Sequence, residues 1–259
     1  MRHKELQIYW TLIIIIFIMI AITGGLSAQF TKGFSVGLGM KSTELIGDNP
    51  ASKPFSERDP NKPPLFGGGF NGPQQGMELL FEFPIGDNNN FVIPLGFDYT
   101  FYQGLQRIPQ TYFVLQDYDN SVDIASLSLG LNYAVVKYNV ANAKIYVGIE
   151  AKTSFIGKNV FTIETNYHKL DSIEILKLST KESCVRLGGS FKLGLEGEIA
   201  QNWFVNIHGT LGVLNLVGKN DSRGQLLTPF KEDKLMRYIE DKEWFVYTLQ
   251  YTFLIQYRL

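Results

Sequence analysis

The chain ends on 244-WFVYTLQYTFLIQYRL-259, where every second residue is large and apolar or aromatic. Phe245, Tyr247, Leu249, Tyr251, Phe253, Ile255, Tyr257 and Leu259 share one phase. The other phase is mostly polar: Thr248, Gln250, Thr252, Gln256 and Arg258. Side chains alternate across a strand, so this period of two describes one fatty face and one polar face. Strands in soluble sheets run to about 5–6 residues. A strand tilted across a bilayer needs about 9–11. The length and the phase together point to a barrel wall in an outer membrane.

The amino terminus points to the same compartment. Arg2, His3 and Lys4 form a short basic region, Leu12–Ile22 an apolar run, and Leu26-Ser27-Ala28 a small-residue stretch before Gln29. This is the layout of a signal peptide over residues 1–28, with an outer-membrane β-barrel domain over 29–259. The apolar run is shorter than the roughly 20 residues of a spanning helix. A net charge of −1 lacks the basic excess of a nucleic-acid-binding protein. The single cysteine, Cys184, excludes an internal disulfide framework.

Seven more alternating segments precede the last one: Gly33–Met40, Gly76–Phe83, Phe91–Tyr102, Asp123–Val135, Lys144–Phe155, Ser183–Leu195 and Trp203–Val217. Three connections are short and rich in turn residues: Pro84–Asn90, Val136–Asn142 and Glu196–Asn202. The other four are long: Lys41–Gln75, Gln103–Val122, Gly157–Glu182 and Gly218–Glu243. Short turns at one end and long loops at the other are the signature of an outer-membrane barrel. The fold expected is all-β: an eight-stranded antiparallel up-and-down transmembrane β-barrel after an N-terminal signal helix. Ten strands are possible if Val160–Tyr167 and Ser172–Leu178 join the wall. Their short faces, with Glu164, Lys169 and Asp171 close by, favour a projecting hairpin.

Aromatics on the apolar phase fall into two groups. Phe34, Phe83, Phe91, Tyr133, Trp203 and Tyr257 lie beside short turns or a terminus. Tyr99, Phe101, Phe155, Phe245 and Tyr247 lie towards the long loops. Two such groups predict girdles at the two membrane interfaces. The polar phase carries four acids, Glu78, Glu82, Asp98 and Glu150, and four bases, Lys152, Arg186, Lys192 and Arg258. Eight strands leave an interior just wide enough for side chains. Isolated charges there are costly, so they are expected to pair into a plugged lumen with no open pore.

Little in the chain suggests catalysis. The Pro-rich first loop contains Gly67-Gly68-Gly69, but no helix and no Lys-Ser/Thr pair follow, so it is not a phosphate loop. It reads as a surface loop resistant to regular structure. His208 and Thr210 stand two apart on one strand, a spacing that suits a base and a nucleophile, but their phase faces the lumen. Asp117, Asp119 and Asp123 lack the glycine turn and terminal glutamate of a calcium loop. No catalytic, cofactor or metal site is assigned.

The opening strand GFSVGLGM, the eight alternating segments and the terminal YTLQYTFLIQYRL resemble the small outer-membrane β-barrel family of Gram-negative bacteria. PorT-like outer membrane protein beta-barrel domains are nearest in style. The resemblance covers the whole of residues 29–259 and implies a porin-like fold in the cell outer membrane. It also implies outer-membrane lipid as surroundings and the barrel assembly machinery as a partner during insertion. The expected role is non-enzymatic: a monomer with a structural or surface-interaction function and an unspecified surface ligand. A lipid-modifying outer-membrane enzyme and a soluble secreted ligand-binding barrel are the alternatives.

Overall fold

A computed structural model describes residues 33–47, 49–54, 68–85, 90–181, 183–217, 227 and 245–259. The signal segment expected over 1–28 lies outside them. Ten strands follow one another: β1 (Ser35–Ile46), β2 (Gln74–Ile85), β3 (Phe91–Thr111), β4 (Val114–Tyr138), β5 (Ala143–Ile156), β6 (Asn159–Tyr167), β7 (Ser172–Lys181), β8 (Cys184–Ala200), β9 (Trp203–Val217) and β10 (Tyr247–Arg258). Eight of them close a ring in the order β1-β2-β3-β4-β5-β8-β9-β10, all antiparallel. The ring shuts where β1 pairs with β10, from Ser35 opposite Arg258 to Ile46 opposite Tyr247. Closure leaves no unpaired edge around the wall.

Around the ring, even-numbered residues point inward from β2 to β10, and odd-numbered ones do so on β1. The apolar phase faces out. Met40 is 78% exposed, Leu129 56%, Ile149 64% and Phe191 51%. The polar phase faces in: Lys41, Glu82, Asn206 and Gln256 are all buried. Polarity is therefore inverted relative to a soluble barrel.

One feature of the strands differs from the expectations of the sequence. Gln103–Val122 is not a long loop. β3 and β4 run on past the wall as a hairpin, from Gln103 opposite Ser121 to Thr111 opposite Val114. One face of the extension is buried, where Ile108 and Tyr118 share a side with Phe161 and Ile163 of β6, but polar residues such as Gln106, Gln116 and Asn120 interrupt that face, and cross-strand polar pairs hold the other. Arg107 donates to both Asp117 oxygens, at 2.7 and 3.0 Å. The turn at Tyr112 and Phe113 carries no Gly, Asn or Asp, so the usual hairpin signal is missing. The wall itself has eight strands, as expected. β6 pairs with the outer half of β4, Val114 opposite Tyr167 to Ser121 opposite Val160, and β7 pairs with β6. The hairpin thus projects, and with the outer halves of β3 and β4 it forms a four-stranded sheet beyond the ring.

The first loop also departs from its expected irregularity, at least over its described ends. Ala51 and Phe70 from that loop and Leu227 from the last one drop into the mouth of the ring. There they meet the inward-facing Leu45, Tyr102, Val122, Ile124, Ile156, Leu214 and Val246. Phe70 is fully buried, with its ring edge-on to Tyr102 at 5.7 Å. The loop is tied to the wall by Asn120 Nδ2, which donates to the Gly68 carbonyl at 2.7 Å. Asn159 Nδ2 in turn donates to Asn120 Oδ1 at 2.7 Å. Gly104 gives the loop room to cross, since a Cβ there would lie 2.6 Å from the Gly69 carbonyl carbon. The result is an apolar cap over a polar lumen.

Truncating a buried Phe to Ala costs about 3–5 kcal/mol. Phe70→Ala should therefore loosen the cap while the ring stays intact. Limited proteolysis should show faster cleavage in the first loop with unchanged heat-dependent gel migration. An unaltered cleavage rate would contradict the cap.

Candidate functional site

The interior of the ring is the largest cluster of titratable side chains among the described residues. All eight charges read from the polar phase lie in it. β2 supplies Glu78 and Glu82, β3 Asp98, β5 Glu150 and Lys152, β8 Arg186 and Lys192, and β10 Arg258. Three charges that the sequence reading did not include join them: Lys41 on β1, Lys144 on β5 and Glu196 on β8. Lys41 and Glu196 sit one alternation beyond the points where the apolar phase stops being regular. Extending the parity by one more pair would have found both. His208 is also inside.

These side chains form three connected groups along the lumen. Beneath the cap, Asp98 takes Lys41 through one oxygen and Lys152 through the other, the latter at 2.7 Å. In the middle, Lys192 Nζ lies 2.5 Å from Glu150 Oε1 and 3.9 Å from Glu78 Oε1. Thr252 Oγ1 donates to Glu78 Oε2 at 3.2 Å, and Ser190 Oγ to Glu150 Oε2 at 3.4 Å. His208 Nε2 stands 3.7 Å from Glu78 Oε1, and His208 Nδ1 stands 3.4 Å from Asn206 Oδ1. That same Asn206 oxygen accepts the Tyr146 hydroxyl at 2.8 Å. Towards the termini, Glu196 binds Lys144 at 2.9 Å and also Arg258. The Arg258 guanidinium lies flat over Phe204, 3.9 Å from the ring centroid. Arg186 is buried and donates to the Val185 carbonyl at 3.0 Å.

Glu82 differs from the others. One of its oxygens accepts Ser35 Oγ at 3.1 Å and Gln256 Nε2 at 3.4 Å. The other, Oε1, is buried without a hydrogen-bond partner.

Between the cap and the central group the free volume is about 10 Å³, room for a single water. At the end where β1 begins and β10 finishes, the interior opens into a vestibule of about 200 Å³.

The aromatics expected at the two girdles lie on the outward face. Phe34 packs against Phe83 and Phe91 against Tyr133, tilted with centroids 5.0 Å apart, and Trp203 meets Tyr257 edge-on at 5.1 Å. These pairs circle the end with the short turns. Tyr99, Phe101, Phe155, Phe245 and Tyr247 are exposed towards the other end. On β10 the two groups are separated by about 33 Å of strand, or about 25 Å of height at a tilt near 40°.

The weaker candidates of the sequence do not converge. Asp117 and Asp119 lie on one outward face of β4. Asp117 is paired with Arg107, whose hydrogen-bonded guanidinium holds the carboxyl below its ordinary range. Asp119 accepts from Gln103 Nε2 at 3.4 Å. Among the described residues no three His, Cys, Asp or Glu side chains are placed to hold a metal ion. Cys184 is a free thiol.

No protein-family model matches the chain, and no curated protein does so. Among solved structures it is similar to Ail, the attachment invasion locus protein of Yersinia pestis, at 10% identity and a TM-score of 0.40. That match covers 88% of this chain and 99% of Ail. It is similar also to Neisserial surface protein A, at 12% identity and a TM-score of 0.42, over 87% of this chain and 97% of that one.

Removing one member of a buried ion pair costs about 3–5 kcal/mol, because the other charge is left unpaired. Lys192→Met should therefore destabilise the barrel by about that amount. Lys192→Met with Glu150→Gln should recover part of the loss. Urea unfolding in lipid vesicles measures both, and equal stabilities for the double variant and Lys192→Met would rule out the coupling.

Proposed function

We propose that this chain is a monomeric, integral outer-membrane β-barrel with a closed, charge-paired lumen. Its role is structural or in surface interaction and is carried by the projecting sheet and the long loops. The observation that carries this reading is the inverted polarity of the wall. A soluble monomer rarely leaves more than a few hundred Å² of contiguous apolar surface exposed. Here the outward face is apolar on all eight ring strands. Lipid is the solvent that such a face matches. The two aromatic groups, about 25 Å apart in height, fit girdles flanking an apolar band of that thickness. Phe34, Phe83, Phe91, Tyr133, Trp203 and Tyr257 form the girdle on the side of the termini, which is periplasmic in this reading.

The lumen network supports rigidity over transport. Glu78, Glu82, Asp98, Glu150, Lys152, Arg186, Lys192 and Arg258 fill the bore, and the cap covers one mouth. No route for a hydrated solute remains between them. The projecting β3-β4-β6-β7 sheet stands beyond the girdles on the opposite side from the termini, where a cell-surface partner would meet it. The barrel assembly machinery would read the terminal strand during insertion.

The enzymatic alternative asks His208 to act on lipid. His208 is buried inside the wall, and an acyl chain on the outer face has no path to it. The soluble alternative leaves the outer apolar face without a solvent.

Two measurements test this reading. After carbonate washing the protein should remain in the outer-membrane fraction, and the refolded barrel should give no large, stable conductance steps in planar bilayers. Recovery in the soluble fraction overturns the membrane assignment, and stable steps overturn the closed lumen. His208→Ala should leave lipid A and phospholipid composition unchanged by mass spectrometry. A lost lipid species would instead establish the enzyme.

A further inference from the structure

The projecting sheet ends in two edges of unlike character. On the β6 side of the pair with β4, the His168 N–H donates to the Phe113 carbonyl. Backbone groups alternate sides along a strand, so Tyr167, Thr165, Ile163 and Phe161 face β7 instead. Their partners there are Ser172, Glu174, Leu176 and Leu178. Ile173, Ile175 and Lys177 therefore turn their N–H and C=O groups away from β6. Among the described residues β7 pairs with no other strand. This edge is uncovered: every residue from Asp171 to Lys177 is exposed, Ile173 at 59% and Ile175 at 56%. The opposite edge is the outer half of β3. There the Gln103 N–H is taken by Gln74 Oε1 at 2.8 Å. The same alternation puts Pro109, which has no N–H, on that edge. One edge is blunted, and the other is a template for a further strand.

The side chains along β7 select what fits. Ile173, Ile175 and Lys177 share one face, and Glu174 and Leu176 the other. Apolar and opposite-charge pairs across strands stabilise, and like charges directly opposite destabilise. An antiparallel strand therefore needs, from its N-terminal end, an acid opposite Lys177, apolar residues opposite Leu176 and Ile175, a base opposite Glu174 and an apolar residue opposite Ile173. We infer that the open edge of β7 is a docking site for an extended protein segment of this pattern, which adds to the projecting sheet as a fifth strand. Main-chain hydrogen bonds would supply the affinity and the alternate side chains the specificity. This names a partner class for the surface-interaction role proposed above and rests on that reading only for the sheet's place outside the cell.

The test is fluorescence anisotropy of the labelled peptide Thr-Glu-Val-Val-Lys-Val-Thr with the full chain refolded in detergent. Saturable binding is expected, and none by the same peptide with its β7-facing N–H groups methylated. Ile175→Pro removes an edge donor that the β6 ladder does not use and should weaken binding about tenfold. Lys177→Glu should weaken it about threefold, and a peptide with Lys in place of Glu should restore it. Heat-dependent gel migration establishes that each variant is a folded barrel. If Ile175→Pro does not fold, Lys177→Glu, an exposed change, decides. Absence of saturable binding, equal binding of the methylated peptide, or no restoration by the charge exchange overturns the site. Self-association of the chain that Ile175→Pro abolishes, without peptide binding, overturns it in favour of a second copy. A failed membrane assignment would leave all these readouts unchanged, so the two failures are distinct.

Discussion

The ladder between β1 and β10 is the constraint on which the rest of the molecule depends. Every backbone N–H and C=O in a wall without water must be satisfied by a neighbouring strand. Seven of the eight seams join strands next to each other in the chain or bridged by the β6–β7 hairpin. The eighth joins the two extremes of the sequence, Ser35 with Arg258 and Ile46 with Tyr247. Until it forms, the sheet has two open edges. Once it forms, the parity of the whole ring is fixed, because a slip of one residue would turn every apolar side chain inward. Gly39 shows how close the seam is: a Cβ there would lie 1.8 Å from the Phe253 carbonyl oxygen.

Fixed parity places the charges in the interior. With apolar residues outward, the alternate positions must carry whatever fills a narrow bore. The solution here is one of distributed partners rather than isolated pairs. Asp98 is shared by two lysines, Lys192 by two glutamates, and Glu196 by a lysine and an arginine. Hydroxyls and amides from other strands complete the groups, as Thr252 does for Glu78 and Ser35 for Glu82. Each group thus ties three to five strands across the bore, which the backbone ladder alone cannot do. Buried networks of this kind are favourable only when nearly complete.

What was legible in the sequence follows from the same geometry. The ring strands were readable because one face meets an apolar surrounding and the other a polar core, which writes a period of two. The interior positions of Glu78, Asp98, Glu150, Lys152 and Lys192 followed from that phase. The β3–β4 extension was illegible because its buried face is completed by Phe161 and Ile163 of β6 and is broken by polar residues, so that Gln103, Gln106, Arg107 and Asp117 look like a loop by composition. The cap was illegible for another reason. Phe70 and Leu227 lie in stretches with no periodicity, and only the closed ring brings them over Tyr102 and Leu214. Contacts between a loop and a distant mouth leave no local pattern.

The two ends of the lumen are closed by opposite means, and this asymmetry follows from the connections. Long loops at one end carry enough chain to fold back over the bore, and their apolar residues exclude water from it. At the other end, among the described residues, side chains of the wall line the mouth. Lys144, Glu196 and Arg258 do so as an ion-paired rim, with Arg258 braced on Phe204. Glu82, which lines the vestibule on the side of the turns, is itself buried just inside that rim. Arg258 thus serves twice: it pairs with Glu196 at the rim, and its place opposite Ser35 sets the register of the closing seam.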